Sequence, residues 1–341
     1  MTLQILWFVL WGLLWAVYFV LDGFDLGAGI LYGNLGKNEA DKSVIRRTIG
    51  PVWGGNEVWL ITAGGATFAA FPTTYALMFS FLYPALLIIL FALIFRGVAL
   101  EFRGGGEGLA WRKGWDLSIG LGSFVPALLF GVAFGNLFRG LPFDAHGYHG
   151  SLLSLFNPYG LLTGLLFALM FTVHGALWLA AKSSGNVQRR ALRLASRLWS
   201  FFLVVAAFFL IMTKFDTHLF DNYFRYPFLF ILPLLAVLAL WGIGPFLSKG
   251  KTLAAFYSSC LTTALITFTG LAGLYPNLIP SRLDPASSLT IFNSSSSAYT
   301  LRIMTVVALV FVPLVIGYQL WAYRVFRGPV SGEDAEDHEA Y

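Results

Sequence analysis

Apolar runs of membrane length recur along the whole 341-residue chain and restrict its fold to a bundle of membrane-spanning helices. A helix needs about 20 predominantly apolar residues to cross a bilayer. Nine segments meet this requirement, with predicted bounds Leu3–Leu35, Val52–Phe71, Tyr75–Phe95, Asp116–Leu137, Pro158–Ala181, Leu198–Thr213, Phe228–Leu247, Leu253–Tyr275 and Leu301–Arg324. We therefore predict an all-α polytopic membrane protein with nine transmembrane helices.

Composition supports the membrane class and narrows the possible partners. Hydrophobic residues make up 57% of the chain and charged residues only 11%, whereas a soluble domain carries about 25% charged residues. The net charge of +5 does not indicate nucleic acid, because the basic residues lie in short loops between apolar runs. The single cysteine, Cys260, excludes an intrachain disulfide and a cysteine-based metal cluster.

The distribution of lysine and arginine predicts the orientation. Most of the 22 basic residues follow the odd-numbered segments, including Arg96, which we place in the loop after the third. Because basic loops stay in the cytoplasm, we expect the N-terminus outside and the C-terminus in the cytoplasm. Residues 1–328 are predicted to form one transmembrane domain, and residues 329–341 an acidic, disordered cytoplasmic tail.

The second segment carries unusual polar residues. Its first half contains Trp53, Asn56, Glu57 and Trp59, six residues separating the two tryptophans. A charge near the centre of a membrane helix costs roughly 2.5–3.5 kcal/mol, so such groups face protein or water and are functional by default. We expect at least one of the two tryptophans to pack inward.

Small residues predict where helices pack closely. Gly64 and Gly65 lie in the second half of the second segment and predict close approach by another helix. Gly131 and Gly135 form a GxxxG pattern in the fourth segment and predict a second close contact.

Three acids are candidates for moving protons. Asp22 and Asp25 share one helix face, and Glu57 lies near the start of the second segment. One interpretation is a proton entrance, in which carboxylates at the cytoplasmic surface pass protons inward through water. The other is structural: packing for Asp22, and helix-dipole stabilisation or an ion pair with Arg46 or Arg47 for Glu57. For Glu57 both interpretations stay open.

The histidines do not indicate a haem or metal site. They are His146, His149, His174, His218 and His338. Haem needs axial ligands that face a cavity from rigid elements, and only His174 lies well inside a segment. We expect His174 to hydrogen-bond a neighbouring helix, and His146 and His149 to be solvated loop residues. The chain is predicted to bind no redox metal and to have no catalytic residues.

Four stretches resemble a known family. They are DGFDLGAG (22–29), GPVWGGNEVWLITAGGATFAAFP (50–72), WDLSIGLGSFVPALLFGVAFGNLFRGLPF (115–143) and NPYGLLTGLL (157–166). They look like subunit II of the cytochrome bd-type quinol oxidases, and the resemblance covers nearly the whole chain. The second stretch is the most specific of the four.

The resemblance implies a heterodimer in the cell membrane of a prokaryote. Each subunit would have nine helices, arranged as two four-helix bundles plus one peripheral helix. Haems b and d would sit in subunit I, which oxidises quinol and reduces dioxygen to water. Subunit II would be haem-free, would stabilise subunit I and would supply a proton path from the cytoplasm. Whether a small single-helix third subunit binds stays open.

One position departs from the family pattern. Family members often have an aspartate directly after the first tryptophan of the second stretch, where this chain has Gly54. Glu57 lies three residues on, on the same helical face, so the acid has either moved there or been lost. From composition alone, a secondary transporter with an intramembrane acid is the alternative function.

Overall fold

The computed structural model describes residues 2–106 and 108–331. The helices are α1 (Thr2–Leu35), α2 (Glu39–Ile49), α3 (Trp53–Ala70), α4 (Pro72–Phe81), α5 (Tyr83–Phe102), α6 (Leu109–Arg139), α7 (Pro158–Lys182), α8 (Gly185–Asp216), α9 (Leu219–Arg225), α10 (Ile231–Ser248), α11 (Thr252–Leu274) and α12 (Ala298–Val325). The strands are β1 (Phe143–Asp144), β2 (Gly147–Tyr148), β3 (Asn277–Ile279) and β4 (Leu289–Thr290). The predicted helical class is confirmed.

Among the described helices, eight are long and apolar enough to cross a membrane: α1, α5, α6, α7, α8, α10, α11 and α12. The chain is therefore a multi-pass membrane protein. The second predicted segment corresponds to α3, which has 18 residues but is not among the eight. Asn56, Glu57 and four glycines dilute its apolar character. The predicted count of nine helices is not established by length and composition.

The predicted bounds of the third segment are wrong. The expected run Tyr75–Phe95 is divided between α4 and α5, which meet at Leu82. Pro84 lies in the first turn of α5, where its fixed φ favours a helix start and its missing N–H costs nothing. Because α5 continues to Phe102, Arg96 lies inside the helix and is 1% exposed. Its predicted position in a loop is also wrong.

Helix α1 lies at the centre of the bundle and contacts α3, α6, α7 and α11. Its approach to α7 is close enough to exclude side chains, because a Cβ on Gly27 would lie 1.8 Å from the carbonyl oxygen of Phe171. Helix α7 is almost wholly buried, whereas α12 buries only Leu301 and lies at the periphery. Neighbouring helices therefore surround α1, and this packing fixes the positions of its two acids, Asp22 and Asp25.

Short hairpins close one end of the bundle. Strand β1 pairs with β2, β3 pairs with β4, and Leu141 bridges to Ser281 between the two connections. Ile279 and Ile291 are buried, so the loop between α11 and α12 packs onto the bundle rather than forming a core of its own. Val330, which follows α12, pairs with Ser183, which lies between α7 and α8. The rest of the predicted tail, residues 332–341, lies outside the described residues.

Candidate functional site

A buried ion pair joins α1 to α5. The Arg96 Nη2 atom donates to Asp22 Oδ1 at 2.7 Å, and both side chains are at most 1% exposed. Glu57 of α3 lies 3.5 Å from the same Nη2 atom, and its side chain is 20% exposed. Arg96 therefore contacts carboxylates from two other helices: Asp22, which is buried, and Glu57, which is partly exposed.

Asp25 lies one helical turn beyond Asp22 and has a different partner. The Asn56 amide donates to Asp25 Oδ2 at 2.7 Å and to the carbonyl oxygen of Leu21 at 3.3 Å. Asn56 Oδ1 accepts from Tyr323 at 2.7 Å and from Gln319 at 3.1 Å, both on α12. Asn56 is thus the centre of a network that ties α1, α3 and α12 together.

The two tryptophans of α3 lie on opposite sides of this cluster. Trp59 is buried and its Nε1 donates to Gln319 Oε1 at 2.7 Å. Trp53 lies closer to the surface, packs over Gly97 and donates to Glu101 Oε1 at 3.2 Å. The prediction that at least one of them packs inward is confirmed by Trp59.

Several buried polar atoms of the cluster have no hydrogen-bond partner among the described residues. They are Asp22 Oδ2, Asp25 Oδ1, and Nε and Nη1 of Arg96. Leaving a buried polar group unsatisfied costs about 1–3 kcal/mol, and more for a charged one. Ordered water is the usual partner for such groups in protein interiors. The cluster therefore has the polar lining that a short water chain needs.

A second charge cluster lies two helical turns along α5. Arg103 follows Arg96 by seven residues, so the two share a helix face, and it is 2% exposed. It pairs with Asp116 of α6 and with Glu39 of α2, the latter at 3.0 Å. Lys42 also contacts Asp116, at 2.7 Å. This second cluster fastens α2 across the ends of α5 and α6.

The structure brings the predicted acids together and adds partners that the sequence interpretation missed. Asp22, Asp25, Asn56 and Glu57 form one cluster. The arginine that contacts Glu57 is Arg96, and not Arg46 or Arg47 as one interpretation expected. A signal existed in the sequence, because Arg96 and Arg103 interrupt an otherwise apolar run at heptad spacing. Gln319 and Tyr323 gave no comparable signal.

The predicted glycine contacts differ in outcome. A Cβ on Gly131 would lie 2.4 Å from the Thr163 carbonyl oxygen, so the predicted close packing of α6 is confirmed and its partner is α7. Gly135 faces the Thr163 side chain in the same way. At Gly64 and Gly65, in contrast, an added Cβ would meet nothing within 4 Å of the described chain. No described residue of this chain occupies that space, so the close approach of another helix to this pair stays a prediction.

His174 bridges three helices. Its Nε2 lies 2.9 Å from the Val20 carbonyl oxygen of α1, and its Nδ1 lies 2.6 Å from Ser259 Oγ of α11. A carbonyl oxygen can only accept, so Nε2 carries a hydrogen and Nδ1 of the neutral ring can only accept. The single hydroxyl hydrogen of Ser259 is shared between Nδ1 and the Phe256 carbonyl oxygen, which lies 2.7 Å from Ser259 Oγ. The predicted hydrogen bond to a neighbouring helix is confirmed.

The loop histidines belong to the β1–β2 hairpin. His149 lies 3.0 Å from Asp144, and the His146 backbone N–H also donates to that carboxylate. These hydrogen bonds, that of His149 first, hold the pKa of Asp144 below its ordinary value. Both histidines are positioned as local hairpin residues, in line with the predicted loop role.

His174, which lies inside an apolar helix, is not free to ligate a haem iron in this structure. Both ring nitrogens of His174 are occupied by hydrogen bonds within the chain. No group of three or more His, Cys, Asp and Glu side chains in the described ranges is placed to hold a metal ion.

Comparison with known proteins relates this chain and its fold to one family. The model of the family described as cytochrome bd terminal oxidase subunit II matches residues 3–326. The chain is 37% identical over 334 residues to cytochrome bd ubiquinol oxidase subunit 2 of Bacillus subtilis, covering 98% of each chain. It is 35% identical over 372 residues to cytochrome bd-I ubiquinol oxidase subunit 2 of Escherichia coli, covering 98% of this chain and 97% of that one.

A solved structure shares the fold. The bd oxidase from Geobacillus thermodenitrificans has a chain that superposes with a TM-score of 0.79 at 21% identity, covering 96% of this chain and 99% of that one. The family match over nearly the full length, the curated relatives and the shared fold agree with one another. This chain belongs to the cytochrome bd terminal oxidase subunit II family.

Proposed function

We propose that this chain is the haem-free subunit of a membrane quinol:dioxygen oxidoreductase. In this proposal haems b and d are held by subunit I, which oxidises quinol, and the present chain stabilises that subunit. Family membership supports the assignment to the oxidase. The two hydrogen bonds that engage both ring nitrogens of His174 within the chain support the haem-free role. The family assignment also argues against the secondary transporter that composition allowed.

The same proposal gives the chain a proton path that begins at Glu57. The observation that carries it is the cluster of Asp22, Asp25, Glu57 and Arg96, with buried oxygens that lack hydrogen-bond partners among the described residues. Glu57 is the partly exposed member, so it can take a proton from water at the edge. The unpartnered oxygen of Asp25 is then the inner end of the path within this chain.

Asp22 and Asp25 have different roles in this path. Asp22 faces Arg96 directly, so it is the permanent counter-ion that keeps the buried guanidinium in place. Asp25 is bonded instead by the neutral amide of Asn56, and no cation of the described chain lies within ion-pair distance of it. Protonating Asp25 therefore breaks no ion pair. It is the acid better suited to accept and release a proton.

The topology belongs to the same proposal. Helix α3, about 27 Å long, is the ninth span, completing two four-helix bundles and a peripheral α12. A helix of marginal hydropathy can span when protein neighbours cover its polar side, and α1 and α12 bond to Asn56. We place the N-terminus outside and the C-terminus in the cytoplasm, with Glu57 close to the cytoplasmic surface.

Purification tests the assignment. The tagged chain, isolated from a membrane that also makes its partner, should elute with a second subunit and with haem absorbance, and should oxidise quinol with oxygen uptake. Expressed alone, it should carry no haem. Haem absorbance on the isolated chain would overturn the haem-free role, and elution without a haem-bearing partner would overturn the oxidase assignment. Labelling of a C-terminal reporter from outside intact cells would overturn the orientation.

A further inference from the structure

Helix α8 is longer than a membrane span requires, and its extra length carries arginines. Its 32 residues extend about 48 Å, against roughly 30 Å of hydrocarbon. The excess lies at the N-terminal end, because the apolar residues fill the C-terminal part. Four arginines occur in its first 13 residues, and the first acid of the helix is Asp216, its last residue.

Three of these arginines form a stripe. Arg189, Arg193 and Arg197 follow one another at intervals of four, so they share one helix face, and all three are exposed. The fourth, Arg190, points elsewhere and bonds Asp41 at 2.6 Å and the Leu35 carbonyl oxygen at 2.7 Å. We call Arg189, Arg193 and Arg197 the arginine stripe.

The arginine stripe has no counter-ion in the described part of the chain. Arg189 bonds the neutral side chain of Asn186 at 2.7 Å, and Arg193 approaches the backbone oxygen of Arg189 at 3.4 Å. The ion pairs of this region involve Arg190 and not the stripe. Like charges at intervals of four destabilise a helix, and cations near a helix N-terminus add to this. An anion bound from outside would offset both effects.

The same helix face continues as an apolar stripe toward the membrane interior. Phe201, Val204, Phe208 and Ile211 follow Arg197 at intervals of three and four, and each is about half exposed or more. One face thus presents guanidinium groups at one end and apolar side chains along the rest. A phospholipid has the complementary order, with its phosphate at the interface and its acyl chains inward.

We propose that the arginine stripe and the apolar stripe of α8 together bind an anionic phospholipid. The guanidinium groups hold the phosphate through charge-assisted, bidentate hydrogen bonds. The acyl chains lie along Phe201, Val204, Phe208 and Ile211. Net negative charge on the headgroup is required, because a zwitterionic headgroup brings its own cation to the arginines.

Lipid retention by the purified oxidase complex tests this proposal. The complex is placed in nanodiscs of equal phosphatidylglycerol and phosphatidylcholine, exchanged into detergent, and the retained lipids are counted by native mass spectrometry. Wild type should retain phosphatidylglycerol in excess. Replacing all three stripe arginines by glutamine should abolish this excess, at about fivefold in affinity per arginine. Replacing them by lysine should keep most of it.

A matched control removes three basic residues that lie at the end of the bundle opposite to the arginine stripe. Lys214→Gln, Arg225→Gln and Arg302→Gln together change the net charge equally and should leave the excess unchanged. If the triple stripe variant does not assemble, Arg193→Gln alone should still lower retention. Equal retention by wild type and the glutamine variants of the stripe would overturn the proposal. An excess of phosphatidylglycerol that appears only after residues 332–341 are removed would also overturn the proposal, because that acidic segment would then occupy the arginine stripe.

Discussion

The carboxylate of Asp22 on α1 and the guanidinium of Arg96 on α5 lie 2.7 Å apart, and both side chains are almost completely buried. Burying two charges costs several kcal/mol per ion, which their attraction repays only when the geometry is good. Glu57 provides a second, weaker contact to the same arginine at 3.5 Å. Arg96 therefore links three helices. Removing one member of the Asp22–Arg96 pair should destabilise the protein, mainly because the other charge is then buried without compensation.

Breaking this pair should destabilise the complex. Asp22→Asn leaves Arg96 with only the more distant Glu57, so we expect a loss of about 3 kcal/mol or more. Glu57→Gln, in contrast, leaves the shorter contact intact and should cost less. The double variant Asp22→Asn with Arg96→Gln should recover part of the loss, because neither charge is then left alone. Thermal unfolding of the purified complex measures all three, and an additive double variant would contradict the pairing.

Glu57→Gln should slow quinol oxidation while leaving haem content unchanged. Glutamine keeps the size of the side chain and can still hydrogen-bond, but it cannot carry the proton. Asp25→Asn should slow turnover in the same way, because it is the inner acid of the proposed path. Oxygen uptake and the haem spectrum of the same preparation are the measurements. Full turnover by an assembled Glu57→Gln variant would make Glu57 a structural residue.

Restoring an acid at Gly54 should recover part of that turnover. Gly54 lies three residues before Glu57 on α3, and a Cβ added there meets nothing within 4 Å of the described chain. An aspartate can therefore be accommodated without repacking this subunit. Gly54→Ala in the same Glu57→Gln background is the control, since it adds the Cβ without the acid. Equal rates for the two double variants would contradict the idea that the acid has moved along the helix.

His174→Ala should leave the haem spectrum of the complex intact but weaken the subunit. The substitution removes the hydrogen bonds to Val20 and Ser259 and leaves a cavity in a fully buried site. Loss of a hydrogen-bond partner in a buried site costs about 1–3 kcal/mol. The visible spectrum reports haem and the unfolding midpoint reports stability. Loss of one haem band in an otherwise assembled complex would contradict the structural role.

The sequence predicted the fold class and most helices because membrane-length apolar runs leave few alternatives. It placed the start of α5 at Tyr75 instead of Tyr83, about two helical turns too early, because hydropathy continues across Leu82 and only Pro84 indicates the new start. It identified Asp22, Asp25 and Glu57 because acidic residues are rare within membrane-length apolar segments. It placed Arg96 in a loop because the third segment was ended at Phe95, whereas α5 continues to Phe102. It missed Gln319 and Tyr323 because their contacts join elements far apart in the chain, and helix periodicity carries no information about such contacts.

A comparison of two glycines should show which surfaces of this chain meet a partner. Gly131→Ala should destabilise the subunit, because the new Cβ would lie 2.4 Å from the Thr163 carbonyl oxygen and α6 would have to move away from α7. Gly64→Ala should leave the packing of this chain unchanged, because its Cβ meets nothing within 4 Å of the described residues. It should nevertheless reduce the yield of assembled oxidase if α3 packs against subunit I, where small residues permit close approach. Co-purification of haem with the tagged subunit measures assembly. Normal assembly with both Gly64→Ala and the bulkier Gly64→Leu would place this face of α3 against lipid.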